Sequence, residues 1–248
     1  MKTVAIIQAR MGATRLPGKV MRVLGDRSVL AHVIQRVAAC PILDAVVVAT
    51  TTSTPDDVLA AEAMRYGASV CRGSEYDVLS RYYLAAMTER ADIVVRITAD
   101  CPFIDAVIIG EVLRSFKGAA NSGRPFDYFS NTLERTYPRG LDVEVFSYDA
   151  LQRAYREATF AHEREHVTPY LYGHPEKFRL GQLRGEPDLS DHRWTLDTEE
   201  DWQFIKAVYT ELDRSGRQVT TANILELLQH RPDLVKINSH IEQKKVGS

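Results

Sequence analysis

Cysteine is scarce in this chain. Cys40, Cys71 and Cys101 stand roughly thirty positions apart, an odd number with no paired spacing. That excludes a disulfide scaffold and suits buried thiols in a reducing compartment, so a cytoplasmic location is expected. Long apolar runs are missing as well. None approaches the length that spans a bilayer, and the first, VAIIQA, is too short and too soon charged to be a secretory leader. Charge of one sign is also lacking. The 31 Lys and Arg against 33 Asp and Glu leave a formal net charge of −2. No global field draws the chain to nucleic acid or an anionic membrane, so any anion site must be a local cluster. Two nucleotide signatures are absent too. G-x-x-x-x-G-K-[ST] fails because Gly12 and Gly18 lie too far apart and Val20 follows Lys19, and G-x-G-x-x-G fails on spacing. Repeats, low-complexity stretches and flexible linkers do not occur.

What remains is an ordinary globular composition, 45% hydrophobic and 26% charged over 248 residues, read here as one elaborated domain, 1–248. The first half alternates. TVAIIQA, AVVVATT, SVCRG and DIVVRITAD read as short buried strands. Between them, VLAHVIQRVAAC, PDDVLAAEAMRYG and YDVLSRYYLAAMTER read as helices, and DAVIIGEVLRSFKG follows as a helix closed by Gly118. Continuous apolar strands separated by helices imply a mostly parallel sheet covered on both faces. Ligands of such sheets bind beyond the carboxyl ends of the strands. From about residue 124 the rhythm breaks. DYFSNT, GLDVEVFSYDAL and FRLGQL are strand-like, and LQRAYREA, TEEDWQFIKAVYTELDR and TANILELLQHRPDLVKI are helical. Residues 125–185 are expected to add a dimerisation and acceptor subregion, because Tyr128, Phe129, Tyr137, Tyr170 and Tyr172 suit an interface.

The first strand runs into AIIQARMGATRLPGKVM. Arg10, Arg15 and Lys19 share this loop with Gly12, Pro17 and Gly18. Glycines let the backbone approach a ligand and turn amides toward it. Arginine clamps phosphate oxygens in bidentate fashion, and lysine supplies a point charge. The combination at a strand end suits a polyphosphate.

IIQARMGATRLPGKVM resembles the N-terminal motif of the nucleoside-triphosphate-dependent cytidylyltransferases, most closely the spore coat polysaccharide biosynthesis SpsF type. Synthetases of CMP-activated 3-deoxy-octulosonate and CMP-sialic acid are more distant relatives. The resemblance continues, in order, through VVVATTTSTPDD, RGSEYDVLSRYY, VVRITADCPFID, DYFSNT, YPRGLDVEVF, EREHVTPYLY and RWTLDTEEDW, covering roughly residues 3–212. Ala13 stands where the family motif carries serine, and Ala99 where it often carries glycine. The resemblance implies a single-domain, three-layer, Rossmann-like α/β nucleotidyltransferase fold. It also implies a magnesium requirement, CTP and a small-molecule acceptor as partners, and a homodimer. The implied reaction transfers CMP to a sugar or sugar-acid acceptor of a surface polysaccharide, or to a phosphorylated or phosphonate acceptor, with release of pyrophosphate.

Roles follow from the motifs. Arg10, Arg15 and Lys19 are expected to hold the triphosphate, with Lys19 neutralising the α-phosphate or the leaving group. Asp100 ends a strand opposite this loop and suits magnesium; a helix cap is the alternative, which Asp105 fits better. Asp197 reads equally as a second magnesium ligand or as an N-cap completed by Glu200, and the resemblance favours the ligand. By analogy Arg72, Asp77 and Arg81 flank the base and ribose, although Asp77 and Arg81 read as well as a salt-bridged helix start. Arg96 or Thr98 faces cytosine. Arg139, Asp142 and Glu144 form an acceptor wall or the solvent face of an edge strand. Arg164 and His166 are expected to meet an acidic or phosphorylated acceptor, or to sit at a subunit contact. One competing pattern is HEREH at 162–166, which matches H-E-x-x-H and would make His162 and His166 zinc ligands with Glu163 as base. A catalytically silent nucleotide-binding protein is the other alternative.

Overall fold

The protein is described here from a computed structural model covering residues 1–121 and 123–243. Strand β1 (Thr3–Gln8) carries only apolar side chains from Val4 to Ile7, so it can be buried on both faces. After the cation loop come a small hairpin of β2 (Val23–Leu24) and β3 (Arg27–Ser28) and helix α1 (Val29–Ala38), whose N-cap Ser28 accepts from the Ala31 amide. Strand β4 (Ala45–Thr51), helix α2 (Asp57–Arg65), β5 (Ser69–Gly73), α3 (Val78–Glu89), β6 (Ile93–Thr98) and α4 (Ala106–Asn121) complete the alternating half. Helix α4 runs past Gly118 rather than closing there; the cost of one helical glycine is small against the packing of the rest of the helix.

The second half adds β7 (Tyr128–Ser130), β8 (Glu144–Ser147), α5 (Tyr148–Glu157), α6 (Ala161–His166), α7 (Pro169–Tyr172) and β9 (Leu180–Gln182). Helices α8 (Glu199–Arg214), α9 (Thr221–His230) and α10 (Pro232–Val235) follow. One seven-stranded sheet results, in the order β5-β4-β1-β6-β8-β7-β9. The first four strands are mutually parallel and β8 pairs antiparallel with β6 and β7. The strands after residue 124 therefore extend the same sheet, and β8 is an interior strand, not an edge.

Alternation along β1 divides the core. Val4 and Ile6 pack with α3, α5 and α7, while Ala5 and Ile7 pack with α1, α4 and α8. Each buried Val, Ile or Leu contributes about 1.5–3 kcal/mol. The aromatics expected at an interface lie largely within this core. Tyr128, Phe129 and Tyr170 are buried by their own chain, because β7 and α7 lie inside the sheet-and-helix layers.

Two backbone features carry the chain to one end of the sheet. Gly140 has φ 103°, and a Cβ there would sit 2.6 Å from the Trp194 carbonyl carbon. That closeness lets the Arg139 carbonyl accept from the Trp194 amide at 2.7 Å. Two residues on, the Leu196 amide donates to the Asp100 carbonyl at 2.8 Å, so Asp197 arrives beside the end of β6.

Candidate active site

Beyond the carboxyl ends of β1 and β6 lies a cleft of about 350 Å³. The cation loop forms one wall and closes on itself. The Met11 carbonyl accepts from the Ala13 and Gly18 amides, and the Met11 amide donates to Oδ1 of buried Asp56 at 2.8 Å. Gly18 holds φ 69°, a left-handed conformation that turns the chain into the single 3-10 turn Lys19–Met21.

Lys19 projects from that turn between two carboxylates. Its Nζ donates to Asp100 Oδ2 at 2.7 Å and to Asp197 Oδ1 at 2.8 Å. Burial alone would lower the lysine pKa, but the charges of Asp100 and Asp197 outweigh it and the net shift is upward. Burial likewise works against ionisation of Asp100, and Lys19 reverses it, so this carboxyl is held below its usual range. Lys19 and Asp100 are both charged at neutral pH. Arg15 reaches Asp197 Oδ2 at 3.1 Å. Among the described residues Arg10 has only distant acids, Glu75 at 4.0 Å and Glu165 at 3.9 Å, and is the cation best placed to take a new anionic partner.

The expected capping alternatives resolve clearly. Asp105 accepts from the Val107 amide at the start of α4, leaving Asp100 uninvolved. Helix α8 is capped one residue later than the Asp197 reading required: Thr198 is the N-cap and Asp201 completes the box. Both Asp100 and Asp197 are thus free of helix capping. Their oxygens converge on one point, and among the described residues no third His, Cys, Asp or Glu joins them. Two carboxylates supplemented by phosphate and water oxygens form a donor set suited to magnesium.

Arg81, Thr98 and His166 also line the cleft. Arg81 is buried, donates to the Ser74 carbonyl at 2.5 Å, and keeps its Nε without a partner among the described residues. Burial holds the His166 imidazole below the usual histidine value, so it is neutral at pH 7. His166 ends α6, and the next residue, Val167, sits at φ 72°, ψ −55°, with the Thr168 amide donating to the His166 carbonyl at 2.8 Å. A β-branched residue in such a turn is strained by about 1–3 kcal/mol, a cost borne here beside the cleft.

Other expected residues are engaged elsewhere. Gly12 and Arg72 do not line the cleft; Arg72 ties Thr51 and Ser53 carbonyls to Asp57. Asp77 caps α3 and pairs with Arg164, which consumes both. Asp142 binds Arg135 through two hydrogen bonds, and Arg139 lends its backbone to the Arg193 bridge. Glu144 is a buried structural group, pairing with Arg96 and accepting from Tyr128 Oη at 2.7 Å and Thr168 Oγ1 at 2.6 Å. Its strand is interior and its side chain is buried, so the alternative of an edge strand's solvent face does not hold for Glu144. The zinc pattern also dissolves. Glu163 is buried and accepts from the Thr159 and Phe160 amides, capping α6, while His162 stacks on Phe160.

Several lining residues carried no sequence signal. Gln8 accepts from Arg96 Nε at 3.2 Å, which fixes its amide. Glu165 faces Arg10. An amide inside the strand VAIIQA and an acid inside HEREH look like ordinary surface choices, and only the alternation that puts Gln8 level with Thr98 could have marked the first.

A parallel sheet with a polycation loop and two convergent carboxylates at its carboxyl end defines a nucleotidyltransferase. A profile of the cytidylyltransferase family matches residues 4–241. The chain belongs to that family and is a CTP-dependent cytidylyltransferase. It is 33% identical over 237 residues to the spore coat polysaccharide biosynthesis protein SpsF of Bacillus subtilis, covering 92% of this chain and 94% of that one. A cytidylyltransferase structure from Leptospira borgpetersenii superposes with a TM-score of 0.89 at 34% identity, covering 99% of this chain and all of that one. The fold is also that of a CMP:2-keto-3-deoxy-manno-octonic acid synthetase solved with CTP, at a TM-score of 0.63, 17% identity, 85% of this chain and 99% of that one.

Proposed function

We propose that the chain transfers CMP from CTP to a sugar or sugar-acid acceptor for surface polysaccharide synthesis, with magnesium as its metal. The observation that carries this reading is the Lys19 ammonium shared by Asp100 and Asp197 beside Arg10 and Arg15. An acceptor oxygen attacks the α-phosphorus, the bond to the β-phosphate breaks, and pyrophosphate leaves. Arg10, Arg15 and Lys19 neutralise the triphosphate and the departing charge. Asp100 and Asp197 would hold magnesium, which would polarise the α-phosphate. His166 and Gln8 offer neutral hydrogen bonds on the remaining wall, chemistry that suits hydroxyl groups. Arg164, expected to meet an acidic or phosphorylated acceptor, is spent on Asp77.

The same reading puts the enzyme in the cytoplasm, where CTP is made; no helix of the described residues is long and apolar enough to cross a membrane. It also includes self-association, through exposed Tyr76 and Phe160 rather than the buried aromatics. Light scattering showing only monomer at micromolar concentration would remove that part. The reaction itself is tested by pyrophosphate release from a matrix of nucleoside triphosphates against sugar acids, neutral sugars and phosphorylated acceptors. Turnover with CTP and a sugar or sugar acid is expected. Turnover confined to phosphorylated or phosphonate acceptors would overturn the acceptor assignment.

A further inference from the structure

Asp197 is held by Arg193, the first residue of the RWTLDTEEDW block and one to which the sequence alone assigns no role. Arg193 is 6% exposed. Its Nε and one terminal nitrogen donate to the two oxygens of Asp201 at 2.8 and 2.9 Å. The same terminal nitrogen donates to Asp197 Oδ2 at 3.0 Å, and the other donates to Gln243 Oε1 at 2.7 Å. Asp201 is fully buried and also accepts from the Asp197 and Thr198 amides, at 2.9 and 3.1 Å. The last described segment closes the cluster. Asn238, just beyond α10 and 2% exposed, donates its side-chain amide to Asp201 Oδ1 and to the Arg193 carbonyl, both at 2.9 Å.

Asp197 is therefore fixed twice, through its backbone amide by Asp201 and through its carboxylate by Arg193. With Oδ2 occupied by Arg193 and Arg15, Oδ1 is the oxygen that faces Lys19. We propose that Arg193, locked in place by Asp201 and Asn238, is the positioning residue of the site. The chain beyond α9 thereby belongs to the active-site machinery, although it touches none of the cleft. Arginine suits this task because its planar fork engages one carboxylate bidentately while the same group reaches a second. The inference rests on the reading of Asp197 as a group that acts on the magnesium–triphosphate.

A double-mutant cycle tests it. Calorimetric titration with CTP in excess magnesium is applied to the wild type, Arg193→Met, Asp197→Asn and the double variant, with thermal unfolding measured alongside. Arg193→Met is expected to weaken CTP binding about tenfold, and to add less than about twofold in the Asp197→Asn background, since the two act in series. Asn238→Ala removes only the lock and keeps the buried charges paired. It is expected to weaken CTP binding severalfold in the wild type and not in Asp197→Asn, which keeps the test decisive if Arg193→Met fails to fold. Full additivity in either cycle, or unchanged CTP affinity in Asn238→Ala and Arg193→Met, would overturn the inference. A wild type that binds no CTP would instead sink the proposed function.

Discussion

Asp100 and Asp197 face the same ammonium; Lys19 is the cation that pairs with Asp100, whereas Asp197 is also held by Arg15 and Arg193. Neither carboxylate serves the helix that follows it, because Asp105, Thr198 and Asp201 do that work. Replacing Asp100 by Asn should therefore leave thermal unfolding within a few degrees of wild type and lower turnover by roughly a hundredfold or more, the usual loss for one preorganised charge. Turnover measured at saturating CTP and rising magnesium checks this; full activity at unchanged magnesium dependence would reduce Asp100 to a structural role. Asp100 was legible in the sequence because it stands just past the end of β6, where a charge has no packing role; Asp197, in the loop before α8, reads equally as an N-cap and is tipped towards the metal by the family resemblance. Arg72, Asp77 and Arg164 were harder to read. Arg72 sits in β5 and Arg164 in the last turn of α6, each paired with an acid at a helix start, and no one-dimensional pattern tells such a pair from a ligand contact.

At the level of elements, the antiparallel junction of β6 and β8 carries one buried ion pair. Arg96 and Glu144 face each other across the antiparallel register, and Glu144 also takes the Thr168 hydroxyl just after the strained Val167 turn. Removing one partner of a buried pair leaves the other charge unpaired, at a cost of about 3–5 kcal/mol. Glu144→Ala is expected to lose that much in urea unfolding, while Glu144→Gln, which can still accept from Tyr128 and Thr168, loses less. Equal stabilities would show that the pair is solvated. The strands of the first half were legible because both faces are apolar. The interior place of β8 was not, since Asp142 and Glu144 look like solvent-facing alternation, and only the partner Arg96, far away in sequence, explains a buried acid there. Within 125–185, Tyr128, Phe129 and Tyr170 are buried by their own chain while Phe160 is exposed, and an apolar composition does not say which face meets the same chain or another.

For the molecule as a whole, three histidines set the response to acid. Burial lowers the pKa of His32, His166 and His192, so the fold keeps them neutral where the unfolded chain already binds protons. Stability accordingly falls as pH drops below about 6.5. Asp100 and Asp201 act lower. Burial opposes their ionisation, but Lys19 and Arg193 hold both below the ordinary value of 3.8. Their contribution is present above that value and is lost as pH falls further through their folded-state values. Urea unfolding at about pH 7.5, 5.5 and 3.5 should show a decline at each step; equal stability at the first two would contradict the histidine assignment. The α/β class, the mostly parallel sheet and the cleft at its carboxyl end were all implied by strand and helix rhythm. The extension of that sheet by β7, β8 and β9 was not, because short strands depend on long-range pairing that local pattern does not encode.

The central claim is that the loop of Arg10, Arg15 and Lys19 holds the triphosphate. The most direct measurement is the ratio of CTP to CMP affinity by calorimetry in magnesium, for the wild type and for Lys19→Ala. The account predicts that the wild type binds CTP at least about tenfold more tightly than CMP, which lacks the β- and γ-phosphates, and that Lys19→Ala weakens CTP binding more than CMP binding and so erases most of that preference. Equal affinity for the two nucleotides in the wild type, or a preference untouched by Lys19→Ala, would contradict it.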